Sequence, residues 1–547
     1  MRYLLFIFLL TCGVNAFGAT YYVSKAGNNT TGLSWAAAWN DTTSALDSLH
    51  EHMAVGDTAY FGAGTWLSTY LYCVLDPPWG GASPTDRTCY ACSSFVEGLA
   101  TISGAEEITG WTLVSGNIYR AYFVPIASEV IYTLAEDDSL LAMPGSLEAI
   151  DEAGEFWYNS TIDSIYAWLF SGDDPDEHTM YASNRIIVDM ITDSYDYITL
   201  WGLKFKYGNK VGIRIGGTDT APDSVHVEHC EVSHVSGQSQ QNTAGISTRT
   251  GGGDAEDTLN WGRGNIIRGC NVHDIREQGS WYGHTKCLCF YGSSYLLIES
   301  CYVDGSGIGI NVKGQDQGDQ DQTYLRNNII RYNTVVGSSN GIDLTCWHVD
   351  DSIYGNVIYD LAGDKWGITV EGYGDSDDGT VVYNNSIVGA SKAFVLCPWY
   401  DDYDGTGVDG MNYFKYNIIS SPGSSLIAWI VKRNDTVNIM PDSNLYYYNS
   451  VSFYTGNDGQ TGRTLSDWTS VLGFDTHSDW ATDPGFINAG ADDYRRTDSL
   501  SADMDLTYGG KRYTLYGAWQ PTLGESADIT PAHLSGKTKL SGKAKIE

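Results

Sequence analysis

Between residues 200 and 417 the chain repeats one short figure: an apolar residue, two variable residues, then a small or amide residue followed by further β-forming side chains. Copies fall at residues 200–203, 227–230, 267–270, 298–301, 325–328, 353–356, 382–385 and 414–417. Their fourth positions are Leu203, Cys230, Cys270, Cys301, Asn328, Asn356, Asn385 and Asn417, spaced by 27, 40, 31, 27, 28, 29 and 32 residues. A period of that size marks a repeat architecture. Each unit carries short runs of β-formers and no helical period, so the expected fold is an all-β solenoid of stacked parallel strands. Asn at a tight bend can hydrogen-bond to the next coil, and Cys fills the same small slot without needing a partner.

A second strand recurs in each coil, at residues 212–215, 245–249, 286–290, 309–313, 341–345, 367–371 and 393–397. Side chains alternate along a strand, which sends the pairs Ile310/Val312, Ile342/Leu344 and Ile368/Val370 inward. One outward column then reads Arg214, Ser247, Leu288, Asn311, Asp343, Thr369 and Val395. The next reads Gly216, Arg249, Phe290, Lys313, Thr345, Glu371 and Cys397. Cys287 and Cys289 are expected to point into the core together.

Composition agrees with a turn-rich all-β chain: 62 Gly and 38 Tyr against 13 Pro, with 18% charged residues. A net charge of −36 argues against nucleic acid as a partner. It also repels an anionic polysaccharide unless a local basic groove or bound cations reverse the sign. Of the eleven cysteines, Cys73, Cys89 and Cys92 leave room for one disulfide. A zinc site on Cys89 and Cys92 with Cys73 is the sharper alternative and lacks an obvious fourth ligand.

Residues 1–19 have the basic start, apolar run and small-residue exit of a secretory signal peptide. Acylation of Cys12 as a lipoprotein is the less favoured alternative. No segment has the length of a membrane span, so a secreted or periplasmic monomer is expected. Residues 20–101 read as an N-terminal cap with the first coils, residues 36–49 being the stretch able to cover the open sheet edge as a helix. Residues 102–190 alternate like antiparallel strands and read as a β insertion, its aromatic residues filling a core or stacking on sugars. The main coils span 191–435, a closing segment 436–521, and a mobile basic tail with a repeated Leu-Ser-Gly-Lys motif 522–547.

The opening, with Tyr21-Tyr22-Val23, Ser34-Trp35 and residues 55–66, resembles that of secreted right-handed parallel β-helix proteins of the pectin-lyase-like superfamily. So do the closing motifs around Asp483-Pro484-Gly485-Phe486 and Gly517-Ala518-Trp519. The resemblance implies a right-handed parallel β-helix with an N-terminal helical cap and a carbohydrate-active function. Locally, residues 309–313 followed by 324–328 resemble the coil that carries the catalytic lysine in β-helix polysaccharide lyases of the chondroitinase B and alginate lyase type. Those enzymes place an Arg on the following coil, where this chain has Thr345 with Trp347 and His348 nearby. The Asp475/His477 pair, after the coils, reads as part of the closing segment.

Two chemistries fit the outward columns. In the first, Lys313 removes the proton α to a uronate carboxylate and β-elimination cuts the glycosidic bond. A lysine base has to be neutral, which burial or a nearby cation favours. Arg249 and His348 are the candidate neutraliser or acid, and Asn311, Trp347, Lys286, His284 and Arg214 line a polar and aromatic groove suited to a sugar chain. Acidic turns holding Asp316, Asp319 and Asp321, and Asp375, Asp377 and Asp378, are either solvated or a site for Ca²⁺ that bridges to the uronate. In the second, Asp343 and Glu371, one coil apart and offset by two residues, have Cα atoms roughly 8 Å apart and act as the carboxylate pair of a glycoside hydrolase. The paired Asp and Gly-His-Gly of polygalacturonases are absent. A third reading is a surface β-helix that only binds glycans.

Overall fold

The computed structural model describes residues 18–513 except 41–44, 68–72, 94–99, 126–129, 191–195, 217–221, 239–242, 249–261, 279–284, 306, 315–324, 346–347, 362–365, 372–378, 397–411, 422–438, 449–465, 467–468, 471–475, 481–485, 492, 497–505 and 509–510. Three long parallel sheets form the walls of a right-handed β-helix, two of twelve strands and one of nine. The first runs from Thr20–Val23 to Ile439–Asp442, the second from Gly64–Trp66 to Asp479–Trp480, and the third from Cys73–Leu75 to Lys392–Leu396. One apolar core lies between them, fed by one residue per coil from the first sheet, such as Val227, Ile267, Ile298, Ile330, Ile353 and Val382.

The bend between the first and second sheets explains the repeated figure. Its third residue takes the left-handed conformation in coil after coil, as His229, Ser300, Tyr332, Asn384 and Tyr416 with φ of 54–60°. Such a turn exposes backbone groups that the fourth residue must satisfy. Asn356 does so in both directions: its Nδ2 donates to Ile330 O and Asn385 Oδ1 at 3.0 and 2.9 Å, while its Oδ1 accepts from Asn333 N at 3.0 Å. Asn333, Asn385, Asn417 and Asn444 repeat this pattern. The thiols, which need no partner in this slot, nevertheless take one. Cys230, Cys270 and Cys301 donate to Leu200 O, Val227 O and Ile267 O at 3.3–3.6 Å, the carbonyl that Asn uses in later coils.

One copy of the figure, at residues 325–328, lies off the ladder. Ile330 pairs with Ile298 and Ile353, so the ladder residue of that coil is Asn333 and not Asn328. Asn328 belongs to a shorter stack at the preceding corner, where it donates to Asp351 Oδ2 and caps Leu296 N.

At the N-terminus the expected helix is shorter and later. Trp35–Ala37 is a single 3-10 turn and the α-helix spans Ala45–His52. Between them Trp39 exchanges backbone hydrogen bonds with Tyr22 and Ser24, extending along Val23 and covering the sheet edge directly. All the described cysteines are free. Cys89 and Cys92 lie three apart in the strand Thr88–Cys92, which puts them on opposite faces, so neither the disulfide nor the zinc site forms among the described residues.

Residues 105–183 leave the second coil between Ala100–Ser103 and Ile186–Met190 and fold as two four-stranded antiparallel sheets with their own core around Phe156, Ile165 and Leu134. They dock on the corner between the second and third sheets. Gln278 Nε2 donates to Tyr132 O and Leu141 O, and Asn209 Oδ1 accepts from Tyr132 N. Among the described residues no helix is long and apolar enough to cross a membrane.

Candidate functional site

The third sheet carries the outward columns, and its register corrects one of their members. Asp189, Arg214, Ser247, Cys289, Asn311, Asp343, Thr369 and Val395 are consecutive partners. Leu288 and Phe290 face the core, and Cys289 and Tyr291 face outward. The cause is the corner at the start of each strand, where Gly245, Gly309, Gly341 and Gly367, each second in its strand, approach core side chains so closely that an added Cβ would sit 2.3–2.7 Å from them. Cys287 occupies this corner slot, opposite Gly305, and so turns inward before Leu288 does. Reading Cys287 as the counterpart of those glycines would have given the register from sequence.

The second column is then Tyr291, Lys313, Thr345 and Glu371. Lys313 pairs directly with Thr345 on the following coil. Glu371 stands one coil and two residues from Asp343, and its backbone alone is described. Arg249, Trp347, His284 and the six aspartates named for Ca²⁺ lie outside the described residues.

Around Asp343 the groups converge. Thr345 Oγ1 donates to Asp343 Oδ1 at 3.3 Å, and Asn311 Nδ2 donates to Thr345 Oγ1 and to Asp343 O at 3.2 and 3.1 Å. Burial pushes the Asp343 carboxyl up to about 6, opposed by the Thr345 hydrogen bond and by the charges of Lys286, His348 and Lys313. Asn311 Oδ1 and Thr369 Oγ1, on either side of Asp343 in the column, are buried and make no hydrogen bond with described residues. Buried polar groups left without a partner are costly.

Beside this column lie two lysines and a tyrosine. Lys286 Nζ is 5.9 Å and Lys313 Nζ 5.8 Å from the centroid of the Tyr291 ring, within cation–π range. Lys286 is buried, while Lys313 and Tyr291 are half-buried. Burial pushes the Cys289 thiol up, and Lys286, Lys313 and a hydrogen bond with Tyr291 pull it back.

The remaining expected residues are placed elsewhere. His348 is fully buried, its Nδ1 2.6 Å from Asp351 Oδ2 and its Nε2 3.3 Å from Thr345 O, so the ring braces the corner behind Thr345. Arg214 forms a bidentate pair with Asp189, at 2.8 and 2.5 Å, and stands three coils from Asn311, about 14 Å at the usual strand spacing. Asp442 holds His477, through Nδ1 at 2.9 Å, while Asp475 lies outside the described residues. Among the described residues no group of three His, Cys, Asp or Glu side chains is arranged to hold a metal.

Residues 187–398 match the family model for the right-handed β-helix region. No curated protein matches the sequence. Among solved structures, the complex of XylC with xylose is similar over 85% of this chain and 86% of its own, at 15% identity and a TM-score of 0.55. A lacto-N-biosidase from Eubacterium ramulus is similar over 84% of this chain and 68% of its own, at 14% identity and a TM-score of 0.47. The pectate lyase Pel9A is similar over 78% and 80%, at 11% identity and a TM-score of 0.41. At these identities what is shared is the fold.

Proposed function

We propose that this chain is an exported, carbohydrate-active enzyme that cuts a uronate-bearing polysaccharide by β-elimination on the outward face of the third sheet. The observation that carries the reading is the convergence of the Lys286 and Lys313 side-chain nitrogens on Tyr291 in a protein of net charge −36. A local cationic spot lets an acidic chain bring a uronate carboxylate to its surface, and it opposes the charge that builds as the α-proton leaves. Lys313, half-exposed, acts as base, and buried Lys286 faces the carboxylate. Arg249, and Ca²⁺ held by Asp316, Asp319, Asp321, Asp375, Asp377 and Asp378, belong to the same proposal as further neutralisers.

A second reading, hydrolysis, is favoured by the Asp343 carboxyl at about 6. A carboxyl raised by burial is the usual general acid of a glycosidase, and Glu371 on the next coil supplies the partner.

Product analysis across uronate-containing and neutral polysaccharides tests both. Products bearing the unsaturated-uronate absorption are expected. New reducing ends without that band would transfer the site to Asp343 and Glu371, and neither product across the panel would leave glycan binding alone.

A further inference from the structure

We propose that Tyr291 is the proton donor to the leaving glycosidic oxygen, an assignment that rests on the elimination reading above. Tyr291 ends the strand Lys286–Tyr291 and is the direct cross-strand partner of Lys313. Base and acid therefore sit one strand spacing apart, about 4.8 Å between backbones, on the same outward face. That is the reach of a single glycosidic linkage with its neighbouring ring carbon.

The other hydroxyl and acid groups described on this face are engaged or hidden. Thr345 is buried and its hydroxyl already donates to Asp343. Asp343 is buried beneath it, and His348 is fully buried with both ring nitrogens engaged. Tyr291 is half-buried, with its ring beside the Nζ atoms of Lys286 and Lys313. Lys286, and Lys313 once it carries the abstracted proton, face the negative charge that donation leaves on the phenolate.

The step balances without an outside reagent. The Lys313 nitrogen takes the proton at C5 of the uronate, and that C–H electron pair becomes the C4=C5 double bond. The C4–O bond breaks, its pair stays on the departing oxygen, and that oxygen takes the Tyr291 proton. Lys313, now an ammonium beside a phenolate, hands the extra proton to Tyr291, and both groups return to their starting state.

The test compares Tyr291→Phe with wild type on the polysaccharide and on a uronide carrying fluoride at C4, which departs as an anion without a proton donor. Tyr291→Phe is expected to lose a factor of about 10²–10⁴ on the polysaccharide and to stay within a few-fold of wild type on the fluoride, whereas Lys313→Ala loses both. Equal losses on the two substrates, or no loss on the polysaccharide, would overturn the assignment. Failure of the elimination reading is seen separately, as a wild type that yields no unsaturated product from either substrate, and the assignment falls with it. A fluorinated tyrosine incorporated at 291 keeps the ring in place should the phenylalanine variant fold poorly. It is expected to move the alkaline limb of the rate profile to lower pH, and an unmoved limb would count against the donor role.

Discussion

Thr345 donates its hydroxyl to the Asp343 carboxylate at 3.3 Å while accepting from Asn311 Nδ2 at 3.2 Å, so Asp343, its cross-strand partner Asn311 and Thr345 two residues further on share one buried hydrogen-bond relay. The relay is the only direct hydrogen bond to the Asp343 side chain among those described, and burial wins over it. The carboxyl rises to about 6 from an ordinary value near 4.

That shift sets a sign for stability. The native state holds a proton on Asp343 that the unfolded chain releases at lower pH, so this group's contribution is present below about 4 and fades as pH rises to about 6. Asp343→Asn is expected to flatten the pH dependence of the unfolding midpoint between those limits. An unchanged slope in urea titrations at several pH values would contradict the assignment.

His273, on the outer face of the second sheet, runs over a different window. Its Nδ1 lies 2.6 Å from Asp274 Oδ2 and its Nε2 3.7 Å from Glu231 Oε1, which together raise it to about 9. Its stabilisation is complete below about 6.5 and is lost as pH climbs toward 9. Replacing it in His273→Gln should remove that loss, read as melting temperatures at pH 6 and pH 9 that differ less than in wild type.

Asn356 supports two neighbouring coils at once, so Asn356→Ala strands Ile330 O and Asn333 N in the core. The expected destabilisation is about 1–3 kcal/mol, measured by denaturant unfolding. A loss below a few tenths would mean the coil relaxes around the gap.

The ladder thiols are closed to reagents while the fold holds. Cys230, Cys270 and Cys301 are 1–2% exposed, and burial pushes Cys230 up to about 12. An alkylating probe is expected to modify them only at the rate of unfolding. Rapid labelling in native buffer would show the corner to open.

The sequence carried the solenoid because its bend imposes a fixed chemical demand, a small or amide residue after a left-handed turn, which survives as a visible figure at Cys230, Asn356 or Asn385. It misled where a second amide stack ran nearby: Asn328 satisfies the same demand at a different corner, and spacing alone does not separate it from Asn333. The outward face was legible for Asn311, Lys313 and Asp343, whose strands carry Gly309 and Gly341 at their second position. It was not legible for Tyr291, because Cys287 fills the glycine slot and shifts the alternation by one residue. His348 looked like a groove acid by its distance along the chain, and only its packing on Asp351 and Thr345 shows it turned inward.

The third-sheet face is the proposed place of chemistry, and one comparison tests it directly. Rates of unsaturated-product formation are measured for wild type, Lys313→Ala and Arg331→Ala, the last replacing a guanidinium tied to Glu299 on the first sheet, away from the site. Lys313→Ala is predicted to fall by about 10²–10⁴ with Arg331→Ala within a few-fold of wild type. A Lys313→Ala protein that works at the wild-type rate would contradict the account.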